Sequence, residues 1–139
     1  MMNEDTFTDL GIVSNLSVVE DRANPGTLFL SLSDTRSQRT TLSLTQGAAQ
    51  VLWFYLTQLL FPRAAAQLTP RVTTATLQPA PNLQVVFAVK VWMEKKSGLI
   101  EVIGVSAVEG WRFRFTPEEG HELWASLEEV LHIIGGGGA

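Results

Sequence analysis

A chain of 139 residues with 45% hydrophobic and only 17% charged composition is long enough for one domain with a true core, since a chain of this size buries well over half of its unfolded surface. The 10 basic and 14 acidic residues leave a net charge of -4, which supplies no general attraction to phosphate backbones, so any nucleic-acid site must be local. Cysteine is absent, which excludes disulfides, thiol nucleophiles and thiolate metal sites.

The opening Met-Met-Asn-Glu-Asp is acidic and has no apolar signal-like region, and no apolar run of about 18 residues follows; a cytoplasmic protein is expected. Residues 10–19 alternate, with Leu10, Ile12, Leu16 and Val18 in one stripe that Ser14 interrupts, the period of a half-buried strand. Glu20 to Gly26 is turn chemistry, with Pro25-Gly26 pre-set for a reversal. Thr27–Ser33 alternates again, with Leu28, Leu30 and Leu32 inward, so a hairpin is expected. Asp34 to Arg39 makes the next turn and Thr40–Leu44 a short strand; Thr6–Asp9 would add a fourth.

Gln46–Phe61 carries no charge, and Val51, Leu52, Tyr55, Leu56 and Leu59 recur at helical spacing while Trp53, Phe54 and Leu60 spill onto adjacent faces. Such a helix wants burial nearly all round. Pro62 ends it, with a further turn over 64–68 beyond a kink, and Thr69-Pro70 closes the half. The plan then repeats: Val72–Leu77, a connector over 78–82, and strands over Leu83–Glu94, Leu99–Ser106 and Trp111–Phe115, with hairpin turns at Lys95 to Gly98 and at Glu109-Gly110. Thr116 is the cap of a last helix, with Pro117 at its first position and Glu119 placed for a capping box. Glu118, Glu119 and Glu122 suit its positive end. Gly135 stops it, and 135–139 reads as a flexible tail.

The two helical segments match at a constant offset of 71. Thr45/Thr116, Leu52/Leu123, Trp53/Trp124, Leu56/Leu127 and Leu60/Leu131 are identical, and Leu42/Phe113, Leu44/Phe115 and Leu59/Val130 stay apolar. Self-similarity of this kind predicts a pseudo-two-fold α+β fold: one domain over 1–139, with repeat 1 about 7–68 and repeat 2 about 71–134, each of three to four antiparallel strands followed by one helix. That order of elements resembles the single-stranded-nucleic-acid-binding fold of the plant Whirly proteins, a doubled version of the positive-cofactor-4 type of coactivator. The resemblance implies curved sheets that present a binding surface, with helices that help subunits assemble. The Lys-Gly-Lys-Ala-Ala-Leu signature of that family does not occur; the nearest basic cluster is Lys95-Lys96-Ser97-Gly98-Leu99.

Two surfaces follow from the residues. Lys90 and Trp92 share one side of their strand, and Arg112 and Arg114 share one side of theirs. Aligned, the four would make a basic patch with a stacking ring, as a single strand requires, with Phe29 extending it from the first half. The plainer alternative pairs these cations with Glu94 and Glu101 on a solvated sheet face. The second surface is the apolar helix: Phe54, Tyr55, Leu60 and Phe61 exceed what one sheet can cover, and a symmetry-related subunit is the simplest cover.

Chemistry is poorly provided for. His121 and His132 lie about 16 Å apart on one helix and cannot share a metal ion. The acid pairs 118/119 and 128/129 are accounted for by capping and solvation, Gly104-Val-Ser-Ala-Val108 lacks the second glycine of a nucleophile elbow, and the only glycine run is terminal. The leading expectation is a non-catalytic binding or assembly module with no cofactor, homo-oligomeric through the helix over 46–61. The second is a single-stranded DNA or RNA binder using Lys90, Trp92, Arg112, Arg114 and Phe29.

Overall fold

The computed structural model describes residues 7–65 and 84–131. The strand expected over 72–77, the connector over 78–82, Leu83, His132 and the terminal glycines lie outside the described residues. The order is β1 (Thr8–Ile12), β2 (Ser14–Glu20), β3 (Thr27–Ser33), β4 (Arg39–Thr45), α1 (Gln46–Leu60), α2 (Pro62–Ala65), β5 (Ala88–Met93), β6 (Ile100–Val105), β7 (Gly110–Phe115) and α3 (Pro117–Leu131). The class is α+β. The strands form a four-stranded sheet in the order β1-β7-β6-β5 and a three-stranded sheet in the order β2-β3-β4.

The turns are dictated locally. Between β2 and β3, Pro25 and Gly26 occupy the centre of a reversal closed by Thr27 N–H to Asn24 O at 3.0 Å, and Gly26 has φ 86°, the left-handed value that the third position of a type II turn demands. Asp21 holds the loop from inside by accepting from Ala23 N–H and from the Asn24 amide, both at 3.0 Å. Between β3 and β4, Asp34 Oδ1 accepts from Arg36 N–H and Gln38 N–H. Both hairpins are antiparallel.

The first strand departs from its sequence reading. Residues 8–20 form two strands in different sheets: β1 runs parallel to β7, β2 antiparallel to β3, and the chain crosses between the sheets at buried Val13, whose N–H donates to Arg114 O at 2.7 Å. The single stripe therefore breaks. Leu16 and Val18 are buried, whereas Ile12 is 48% exposed, because the crossing and the positive φ of Asn15 (54°) reset which side faces in. A matching crossing precedes β5, where Val86 bridges Leu44 of the three-stranded sheet and its N–H donates to Ser43 O at 2.8 Å. There too the alternation slips, with Val85 and Val86 both buried and Phe87 exposed.

One apolar core joins both sheets and both long helices: Leu28, Leu30, Leu32, Leu42 and Leu44 from one sheet, Ile100, Val102, Phe113 and Phe115 from the other, and Leu52, Leu56, Leu123 and Leu127 from α1 and α3. Thr45 Oγ1 caps α1 by accepting from Ala48 N–H at 3.0 Å, and Thr116 Oγ1 caps α3 through Glu119 N–H at 3.2 Å. The Glu119 carboxylate, expected to reach back to the cap, is bonded across to Asn15 N–H of β2 at 3.2 Å. Farther along α3, Ser126 Oγ accepts from Val18 N–H (2.8 Å) and donates to Val18 O (3.3 Å). The helix thereby satisfies backbone groups on the outer edge of β2 that would otherwise template another strand.

Candidate nucleic-acid interface

β6 is the ruler for this face. Its antiparallel register sets Lys90 and Arg112 on either side of Ile103, and Trp92 and Arg114 on either side of Glu101. Residues directly opposite one another in a sheet point to the same side. Lys90, Trp92, Arg112 and Arg114 therefore occupy one face, on two successive rungs. β1 extends both rungs, with Asp9 opposite Arg112 and Ile12 opposite Arg114. The other face of the sheet carries Val102, Phe113, Ile100 and Phe115 into the core, so the cations and the ring lie on the side away from it.

The face is aromatic and basic at its margins and closed at its centre. Lys90 is exposed and Trp92 is 37% exposed. Arg112 and Arg114 are half-buried, while Ile103 and Glu101 on the central strand are buried. Arg112 Nε stands 3.4 Å from Glu101 Oε1, so the alternative account of these residues as cross-strand ion pairs holds for that one pair. Arg114 Nε is buried without a hydrogen-bond partner among the described residues. Counting Asp9 and Glu101 against the three cations, the face is positive by a single charge, in a protein whose net charge is -4. Stacking must therefore carry a large share of any strand binding there.

Two contributors were not assigned to this face from the sequence. Phe7 lays its ring over Gly110, where an added Cβ would sit 2.6 Å from ring atoms; Gly110 is thus a seat for an aromatic ring beside the Arg112 rung. Ile12 is exposed next to Arg114. Nothing in the pattern around Phe7 pointed to this, because the contact joins residues far apart in the chain. Phe29 stands apart: it lies on β3 of the three-stranded sheet, half-buried, between Val19 and Ser43.

The apolar helix is spoken for on a second side by α3. Phe61 packs its ring against Trp124 (4.8 Å between centroids) and His121 (5.1 Å), Leu60 packs against the core, and Trp124 Nε1 donates to Thr57 Oγ1 at 2.9 Å. Of the four residues proposed to meet another subunit, Leu60 and Phe61 have partners within the chain. Tyr55, 39% exposed and edge-on to Phe54 at 5.9 Å, keeps an outward surface.

Among the described residues no group of three or more His, Asp or Glu side chains is placed to hold a metal ion, and no helix is long and apolar enough to cross a membrane. No protein-family model, curated protein or solved structure matches the chain.

Proposed function

We propose that this chain is a non-catalytic binding module of Whirly-like, internally duplicated design, and that the outer face of its four-stranded sheet binds single-stranded nucleic acid. The observation that carries the reading is the register itself, which sets Lys90, Trp92, Arg112 and Arg114 on adjacent rungs of one face. A single strand offers unstacked bases and a line of phosphates, and a ring flanked by cations meets both. The duplication draws support from spacing in the fold. α1 and α3 are each 15 residues long and begin 71 positions apart, as do β4 and β7. The carbonyls of Ser43 and Arg114, also 71 apart, accept from Val86 and Val13 at the two strand crossings.

The test is fluorescence anisotropy of a labelled single-stranded oligonucleotide. With about three phosphate contacts, affinity should fall roughly ten- to twentyfold between about 50 and about 200 mM salt, and Trp92→Ala or Lys90→Glu should weaken it at both. No binding by the wild type at low salt overturns the reading. The outward side of α1, with Phe54 and Tyr55, then becomes the working surface, as a homo-oligomer contact. That second reading is favoured by Tyr55, which is 39% exposed, while Leu60 and Phe61 are half-buried against partners within the chain.

A further inference from the structure

We propose that Glu101 selects the base at this face and that the base it selects is guanine; the inference rests on the reading of the face as a single-strand site. A carboxylate in the middle of a phosphate-binding surface is a liability if its only partner is the backbone of the ligand, because it repels phosphate. Yet Glu101 stands directly opposite Trp92 on one side and Arg114 on the other. Side chains so opposed have Cβ atoms about 4.5–5.5 Å apart. A base stacked on the exposed Trp92 ring would bring its hydrogen-bonding edge toward the Glu101 carboxylate, whose side chain keeps 11% of its surface on this face and has Arg112 Nε 3.4 Å from Oε1 as its ion-pair partner. The arrangement puts an oriented acceptor beside a stacking platform.

An ionised carboxylate only accepts, and it does so through two parallel oxygens. Among the four bases, guanine alone presents two adjacent donors on its pairing edge, N1–H and the 2-amino group. Cytosine and adenine offer one amino donor beside an acceptor nitrogen, which faces a carboxylate unfavourably. Thymine and uracil offer one N–H between two carbonyl oxygens. The pairing edge is free only in unpaired strands, so the same geometry that selects guanine also excludes duplex. Removing one donor from a site built for two leaves a polar group unmatched, an effect that discriminates more strongly than the loss of apolar contact.

The experiment compares three labelled strands on the wild-type protein: thymine throughout, the same strand with isolated guanines, and that strand with hypoxanthine in place of each guanine, which deletes the 2-amino group and keeps N1–H. The guanine strand should bind roughly tenfold tighter than the thymine strand, with hypoxanthine costing about three- to tenfold of that gain. In Glu101→Gln the guanine preference should collapse toward equality while salt-dependent binding persists. Equal wild-type affinity for all three strands overturns the inference and leaves the strand-binding reading standing. A Glu101→Gln protein that loses affinity equally for every strand, with its guanine preference intact, also overturns it, since a merely structural role would act that way. If no strand binds at all, the inference fails together with the reading beneath it. The hypoxanthine comparison needs no variant, so it holds even where Glu101→Gln folds poorly.

Discussion

The two sheets share an inner chemistry and differ on the outside. Inward, Leu28, Leu30, Leu42 and Leu44 of the three-stranded sheet and Ile100, Val102, Phe113 and Phe115 of the four-stranded one are all buried in one core. Outward, the three-stranded sheet presents an all-hydroxyl rung, Ser17-Ser31-Thr41, and an uncharged mixed one, Val19-Phe29-Ser43. The other presents Lys90-Ile103-Arg112 and Trp92-Glu101-Arg114. Thr41 and Ser43 stand 71 positions before Arg112 and Arg114. Burial constrains the inner face to be apolar in both sheets, whereas the outer face is free to differ, and a difference carried by charge is where recognition is to be sought.

The contrast is broken most directly from the inside. Phe113→Ala deletes a fully buried ring from the core and should cost about 3–5 kcal/mol, whereas Phe29→Ala, on the outer face of the other sheet, should cost about 1 kcal/mol; urea denaturation midpoints at constant slope report both. Comparable losses would mean that Phe29 is core in all but position. The outside is tested by making one sheet resemble the other. Arg112→Thr and Arg114→Ser together should lower strand affinity at least about tenfold, since two of the three cations are gone. Arg112→Thr alone should also cost about 1–2 kcal/mol of stability, because it leaves the buried Glu101 carboxylate without its cation. An Arg112 variant as stable as the wild type would show that water serves Glu101 equally well.

How far the sequence disclosed this molecule follows the range of the forces involved. The reversal before Thr27–Ser33, the cap at Thr116 and the limits of α1 were legible because each depends on residues within a turn or two: Pro25-Gly26 in a reversal, a threonine three residues before the N–H from which it accepts. The common face of Lys90, Trp92, Arg112 and Arg114 was legible as a condition, from alternation within each strand, but only the β5-β6-β7 register could meet it. What alternation could not show is the crossing of a strand from one sheet to another at Val13 and Val86, where the chain continues extended while its inward side changes. Nor could it show that α3 lies against Phe61 and Leu60. The helix over 46–61 calls for cover all round without saying what provides it.

The smallest effect concerns the starts of the two long helices, which differ as the sheets do. α1 has no acidic residue in its first turn, while α3 has Glu118 and Glu119. Burial, reinforced by the neighbouring Glu122, raises the Glu119 carboxyl above the ordinary glutamate value, against the lowering effect of the Asn15 N–H it accepts. A group whose pKa is raised by folding contributes its full stability below its unfolded value, near 4.3, and loses part of it as pH rises through the folded value. Glu119→Gln keeps an acceptor for Asn15 without a charge to desolvate. The variant should therefore match the wild type below about pH 4 and exceed it slightly near neutrality, the gap opening across the folded titration. The opposing term is the attraction of an ionised carboxylate to the helix N-terminus, about 0.3–1 kcal/mol, which Gln forfeits. Thermal unfolding from acid to neutral pH decides between them: a wild type that gains on the variant as pH rises would mean that the helix end stabilises the charge more than burial and Glu122 penalise it.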